Sequence, residues 1–116
     1  MIDFDGGTLG SLKRDMEALD LRAKVAMHNI ANQNTPGFKR YYVSFEELLR
    51  AAFHSGSDAQ AVQPQVLRDT SGAPGMNNVS LIDEQAVLEK VRLMNELVSR
   101  RIGGHFSKLN KAISSR

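Results

Sequence analysis

Residues 29–38 read Asn-Ile-Ala-Asn-Gln-Asn-Thr-Pro-Gly-Phe. Asn29 and Asn32 stand one helical turn apart, so they share a face and are placed to hydrogen-bond backbone groups that are freed at a helix end. The Thr-Pro-Gly run stops the helix, because a residue before proline avoids the helical region and glycine favours a turn. The stretch therefore predicts a fixed corner, after which Phe38 or Tyr41 folds back on the apolar side of the preceding helix.

A long amphipathic helix is predicted before this corner, from about Thr8 to Asn32. Its apolar residues recur at alternating steps of three and four, which is the heptad spacing of a coiled coil. We call these residues the first seam, and they are Leu9, Leu12, Met16, Leu19, Ala23, Ala26 and Ile30. The residues between them carry both signs of charge and suit an outer, solvated face.

A second long helix is predicted from about Leu81 to Ile113, and Ser80 with Asp83 has the S-x-x-D form of a capping box. Its apolar residues, the second seam, are Val87, Val91, Met94, Val98, Ile102, Phe106, Leu109 and Ile113. Their mean step of about 3.7 residues exceeds the 3.6 of a straight helix, so the stripe drifts around the helix. Gly103 and Gly104 together cost about 2 kcal/mol of helix propensity relative to alanine. They mark either a bend or a point where another helix backbone comes close.

The segment between the helices, residues 38–79, is predicted to contain a short extended piece around 41–45 and a short helix over 44–53. From 54 to 78 the composition shifts to Ser, Gly, Gln, Pro, Asp and Asn, which predicts a linker or mobile loop. The chain is therefore divided into residues 1–37, 38–79 and 80–116.

These elements predict a mainly α fold, in which two long terminal helices form an antiparallel coiled-coil-like hairpin. Burying a Leu or Met side chain contributes about 1.5–3 kcal/mol, so seven seam positions favour association strongly. The helices can pair with each other, with neighbouring subunits, or with both. A plain two-helix hairpin, with each seam buried only against the other, is the simplest of these arrangements.

Composition agrees with helix-on-helix packing. The 116 residues are 41% hydrophobic but only 6% aromatic, without tryptophan, and their formal charge is +2. A nucleic-acid-binding protein is expected to carry a dense stripe of Lys and Arg, often interleaved with aromatics. The basic residues near the C-terminus are instead spaced around the predicted helix. Composition and charge alone leave one class of function open, that of a cytosolic helical adaptor or a basic coiled-coil nucleic-acid binder, and we keep it as the alternative to the function that the resemblance described below implies.

The patterns of catalytic and metal sites are not found in the sequence. There is no cysteine. His28, His54 and His105 are scattered, and no second His or Asp lies at metal-ligand spacing from His28. Glu46–Glu47 and Asp83–Glu84 are adjacent pairs that face different ways on a helix and are predicted to be solvated. Phosphate-loop, nucleophile-elbow and zinc-protease motifs are missing from the chain. We therefore predict no enzyme activity, no cofactor and no metal.

The first residues have neither a basic n-region nor an apolar core, so a cleaved secretory signal is not expected. No stretch approaches eighteen apolar residues, so no membrane span is expected. A chain of this kind that leaves the cytoplasm needs another export route.

The corner resembles the N-terminal signature of the flagellar rod and hook axial proteins, N-I/L-A-N-x-x-T-P-G-F/Y. The matching residues are Asn29, Ile30, Ala31, Asn32, Thr35, Pro36, Gly37 and Phe38. Ahead of the second helix, Asn77, Val79 and Glu84 match the G-N-x-V-x-x-x-x-E segment of the proximal-rod subfamily, with Met76 in place of glycine. The resemblance covers about residues 9–50 and 75–115. The short chain favours proximal-rod proteins of the FlgB type, with the FlgC type as the nearest rival.

This resemblance implies a structural subunit of the basal-body rod, exported unprocessed through the flagellar type III apparatus. It implies helical self-assembly in the periplasm into a hollow drive shaft, which transmits torque and lets exported substrates pass. The implied partners are copies of the chain, other rod subunits, the hook–basal-body adaptor and the export gate. It also implies terminal helices that are poorly ordered in the free subunit and that pair along both seams on assembly.

Overall fold

The computed structural model describes residues 8–47, 50 and 62–114. Its elements are the helix α1 (Thr8–Ala31), the strands β1 (Tyr41–Ser44) and β2 (Gln65–Arg68), and the helix α2 (Leu81–Ser114). The predicted mainly α fold with two long helices packed against each other is confirmed. The end of α1 contacts the start of α2, so the helices run antiparallel. The molecule is elongated, with extents of 66 × 31 × 14 Å.

The helix ends follow their local sequence. After α1 the chain turns through Gly37, whose φ of 73° lies in the left-handed region that favours glycine. At the start of α2 the Asp83 N–H donates to Ser80 Oγ at 3.4 Å, as the capping box predicts.

The core of the hairpin is small and comes from both seams. Leu12, Leu19, Val91 and Val98 form one buried cluster. Ala23, Val87 and Ile102 pack against this cluster and are partly buried. Because the second seam drifts and α2 is longer than α1, Phe106 and Ile113 remain 48% and 61% exposed.

A two-stranded antiparallel ribbon joins the helices. The register pairs Tyr41 with Arg68 and Ser44 with Gln65. The predicted extended piece around 41–45 is therefore present. The prediction of a loop throughout 54–78 is wrong over residues 65–68, which form β2. The strand is short and exposed along its length, so its sequence carries no alternation of buried and exposed residues.

Two further predictions meet the structure differently. Of the short helix predicted over 44–53, residues 46, 47 and 50 are helical, Ser44 belongs to β1, and residues 48–49 and 51–53 lie outside the described residues. α2 continues without a break through Gly103 and Gly104. Apart from the adjoining residues and nearby backbone of α2 itself, no atom of the described residues lies within 4 Å of the position that a Cβ would take at either glycine. The close approach predicted there is therefore not made within the described part of the hairpin.

Candidate assembly site

Asn29 is the centre of the corner, and its side chain is fully buried. Its Nδ2 donates to the Tyr41 carbonyl at 2.8 Å and to Glu84 Oε1 at 2.9 Å. Its Oδ1 accepts from the Tyr41 N–H at 2.9 Å. The prediction that Asn29 binds backbone groups of its own helix end is therefore wrong. The amide instead holds the first residue of β1 and the first turn of α2.

Asn32 behaves as the sequence predicts. Its Nδ2 donates to the carbonyl of His28, in the last turn of α1, at 2.9 Å, and its own N–H donates to the same carbonyl at 3.2 Å. The Thr35 hydroxyl donates to Asn32 Oδ1 at 3.1 Å. The two asparagines therefore have different roles. Asn32 caps the end of the helix, and Asn29 joins the helix to distant segments.

Glu84 is fully buried on the first turn of α2, so the prediction that the Asp83–Glu84 pair is solvated is wrong for this residue. A buried carboxylate must be paired and hydrogen-bonded to be tolerated. Arg40 Nε donates to Glu84 Oε2 at 2.8 Å, and Asn29 Nδ2 donates to Glu84 Oε1 at 2.9 Å. The hydrogen bond with Glu84 raises the pKa of Arg40 above its usual value, against the opposing effect of burial.

The chain before α2 is fixed by two asparagines. Asn77 Nδ2 donates to the carbonyls of Asn32 and Thr35 at 2.9 and 2.8 Å. Asn78 Oδ1 accepts from the Arg40 N–H at 2.6 Å, and its Nδ2 donates to the Asp69 carbonyl at 2.7 Å. Two sequence signals pointed to this stretch, namely asparagines in a run rich in Gly and Pro and the match of Asn77 to the proximal-rod segment.

Asp69 extends the same network on the ribbon side. Its Oδ2 lies 3.3 Å from the Arg40 guanidinium, and its Oδ1 accepts from the Ser71 N–H at 3.0 Å. Hydrogen bonding by Ser71, followed by the interaction with Arg40, lowers the pKa of Asp69. Arg40 therefore joins a buried carboxylate of α2 to a carboxylate of the ribbon.

Aromatic rings cover the outside of the corner. The His28 ring centroid lies 5.8 Å from that of Phe38 and 5.9 Å from that of Tyr41. The Arg68 guanidinium stands over the Tyr41 ring at 4.7 Å and near the Phe38 ring at 5.7 Å, both cation–π distances. Phe38 and Tyr41 thus fold back on the last turn of α1 and contact His28. The prediction had placed one of them on the apolar side of the helix instead.

The first seam is only partly covered. Leu12, Leu19 and Ala26 are buried, Ala23 and Ile30 are half-buried, and Met16 is 37% exposed. The side chain of Leu9 lies outside the described residues. Ala18, which the heptad spacing did not select, is buried as well.

The second seam divides along its length. Val91 and Val98 are buried, and Val87, Ile102 and Leu109 are half-buried. Met94, Phe106 and Ile113 are exposed. The hairpin therefore brings the middle of both seams together and leaves the far end of α2 with exposed apolar side chains.

A groove is lined by residues of α1, α2 and β1 together with Phe45, and residues of both seams, among them Leu19 and Val91, form part of its wall. Glu46 at its edge forms a bidentate ion pair with Arg22, which lowers the pKa of Glu46. Burial, followed by the charge of Glu46, raises the pKa of Asp15.

In the described ranges, no three His, Asp or Glu side chains converge as a metal site would require.

The fold and the corner together define a class of protein, a helical hairpin in which buried polar side chains join the two helices to the ribbon between them. Neither helix is apolar enough over a sufficient length to cross a membrane, within the part of the chain that the structure describes. No protein-family model matches the sequence. The chain is 26% identical to the flagellar basal body rod protein FlgB of Bacillus subtilis (strain 168), over 93% of the chain and 94% of that relative. This similarity confirms the predicted resemblance and supports the FlgB-type rod family.

Proposed function

We propose that this chain is a structural subunit of the bacterial flagellar basal-body rod, in the proximal part of the rod. The observation that carries the proposal is the similarity to a flagellar rod protein along almost the whole length of both chains. A local match to a Pro-Gly turn alone would not extend to both helices.

The corner has a mechanical role in this proposal. Asn29, Arg40 and Glu84 tie the end of α1, the start of the ribbon and the start of α2 through hydrogen bonds of 2.8–2.9 Å. Buried networks of this kind fix one arrangement, since breaking any bond leaves an unpaired buried group. A subunit that transmits torque needs such a fixed angle between its helices and its outer ribbon.

The seams have the assembly role. The residues assigned to it are the first seam from Leu9 to Ile30 and the second seam from Val87 to Ile113. We propose that the chain is exported without signal cleavage, assembles helically in the periplasm with copies of itself and other rod subunits, and forms part of a hollow shaft. Contacts between unlike surfaces do not close, so they grow as a helical filament. The hook–basal-body adaptor and the export gate are the partners proposed at the base of the rod.

Intact-mass spectrometry on purified hook–basal bodies from the source bacterium tests the assignment. The expected result is this chain in the basal-body fraction at the mass of its full sequence. Finding it only in the cytosol would contradict the proposal and favour the helical adaptor. A separate salt titration of nucleic-acid binding tests the basic coiled-coil alternative, because such binding falls steeply as salt rises.

A further inference from the structure

α2 extends past the start of α1 and carries apolar side chains there. The end of α1 is bonded to the start of α2 through Asn29 and Glu84. Both helices rise by about 1.5 Å per residue from this bond, so Thr8 lies beside about position 105 of α2. We call the residues of the second seam at or beyond this level the overhang patch, and they are Phe106, Leu109 and Ile113.

The overhang patch continues the apolar stripe of the hairpin core. Its side chains recur at steps of three and four, so they lie on one side of α2, in line with Val98, which is buried in the core. Leu109 is half-buried, whereas Phe106 and Ile113 are exposed. The side of α2 that faces α1 in the hairpin is thus still apolar beyond the level at which α1 begins.

The seven residues before α1 have a pattern that suits this patch. They read Met-Ile-Asp-Phe-Asp-Gly-Gly. Apolar and acidic residues alternate from Ile2 to Asp5, so in an extended chain Ile2 and Phe4 share one side and the aspartates share the other. Gly6 and Gly7 stand between this stretch and the helix, where they allow the chain to change direction.

The length of these residues matches the overhang. An extended chain spans at most about 3.3–3.6 Å per residue, so Phe4 reaches up to about 14 Å from Thr8. The axis of α2 rises by about 12 Å from the level of Thr8 to Ile113. Phe4 can therefore reach any residue of the overhang patch, and Ile2 can lie beside its far end.

Charge favours the same contact. Residues 97–116 contain five basic residues and no acidic one, whereas residues 1–7 contain two aspartates and no basic residue. Arg101 and Lys108 lie on one flank of the overhang patch, roughly 120° around the helix from its middle. Their long side chains can cover the edge of the patch with their apolar stems while their charged ends meet the aspartates.

We propose that residues 1–7 run along α2 of the same chain, antiparallel to it, with Ile2 and Phe4 packed on the overhang patch. The hairpin core then continues to the end of α2, and Asp3 and Asp5 meet the basic flank. This contact lies within one chain and does not depend on the proposed function. In a rod subunit it would cover the end of the second seam until a neighbour displaces it, and only this consequence rests on the proposed function.

Disulfide closure within the chain tests the contact, because the sequence contains no cysteine. Asp3→Cys/Ala112→Cys places one thiol before α1 and the other on the basic flank, one turn after Lys108. Asp3→Cys/Lys111→Cys is the matched control, since position 111 lies at nearly the same height on the opposite side of α2. Dilute full-length protein is oxidised, and closure is followed by alkylation of the remaining thiols and non-reducing electrophoresis. The first pair is expected to close about tenfold faster, because docking raises the effective concentration of one thiol beside the other.

Substitutions of apolar residues show whether packing on the patch causes this difference. Phe4→Ser or Phe106→Ser, introduced into the Asp3→Cys/Ala112→Cys background, is expected to slow closure to the rate of the control pair. Leu93→Ser in the same background removes a side chain of α2 that is as exposed as Phe106 but lies outside the patch, so the rate should not change. Circular dichroism checks that each variant remains helical.

Three outcomes would overturn the inference. Equal rates for the two cysteine pairs, or a rate that does not respond to Phe4→Ser, would mean that residues 1–7 are not held on the patch. Crosslinks between chains in place of closure within one chain would assign the patch to a second copy. Each outcome leaves the rod assignment standing, because the mass of the chain in basal bodies decides that assignment separately.

Discussion

Asn29 donates a hydrogen bond of 2.9 Å to Glu84, between two fully buried side chains that stand 55 residues apart in the sequence. The same amide exchanges two hydrogen bonds with the backbone of Tyr41. One side chain therefore couples both helices and the ribbon. The closed end of the hairpin is held by polar contacts, whereas its middle is held by the small apolar cluster around Leu19 and Val91.

Removing the Glu84 carboxylate is expected to destabilise the corner. Glu84→Leu leaves Asn29 and Arg40 without their buried acceptor and should lower the free energy of unfolding by about 3 kcal/mol. Glu84→Gln keeps the size and one acceptor oxygen, so about 1 kcal/mol is expected. Urea denaturation followed by circular dichroism measures both.

Glu89→Gln, an exposed change on the same helix, is the control and should leave the urea midpoint almost unchanged. An effect of Glu84→Leu no larger than that of this control would contradict a structural role for the buried carboxylate.

The sequence predicted the parts of this fold that depend on local pattern. Periodicity placed both helices, and Ser80 marked the start of the second one. It did not predict the burial of Glu84, because an Asp-Glu pair on a first helical turn looks solvated until Asn29 and Arg40 are brought to it from distant segments. β2 was missed for a similar reason, since Gln65–Arg68 is defined by its partner strand and has no buried face of its own.

Stability is expected to fall in acid through Asp69. Its pKa in the folded chain is below the usual value of about 3.8, owing first to Ser71 and then to Arg40. A lowered pKa in the folded state contributes stability that is fully present above the unfolded pKa and is lost as the pH falls through the folded pKa. Thermal melts from neutral pH down through the carboxylate range should therefore show a decline that is smaller in Asp69→Asn.

Two other carboxyl groups with shifted pKa values, those of Glu46 and Asp15, also contribute to the dependence of stability on pH. Glu46, whose pKa is lowered by Arg22, acts in the same direction as Asp69, whereas Asp15, whose pKa is raised by burial, acts in the opposite direction. Glu46→Gln should thus also flatten the acid decline. Identical slopes for wild type, Asp69→Asn and Glu46→Gln would argue that these pairs contribute nothing to folding.

Gly103→Ala is expected to stabilise the isolated chain. The residue is exposed inside a continuous helix, without a positive φ and with open space where a Cβ would stand. Alanine should then gain up to about 1 kcal/mol of helix propensity. Thermal melts of dilute protein measure the gain. A loss of stability would indicate that α2 needs a bend at this point, which is the alternative that the glycine pair left open.

Leu19→Asp tests the first seam in the cell. Leu19 is 6% exposed in the cluster that joins the two helices, so the variant places an unpaired charge where both seams meet. Under the proposed function, rod assembly should fail and swimming should stop, while the chain should still be exported, since the proposed export route carries unfolded chains. Asp20→Asn, at the neighbouring exposed position, is the control and should swim. Motility plates and blots of basal-body and secreted fractions read the two steps separately, and normal swimming by Leu19→Asp would remove the assignment of this seam to assembly.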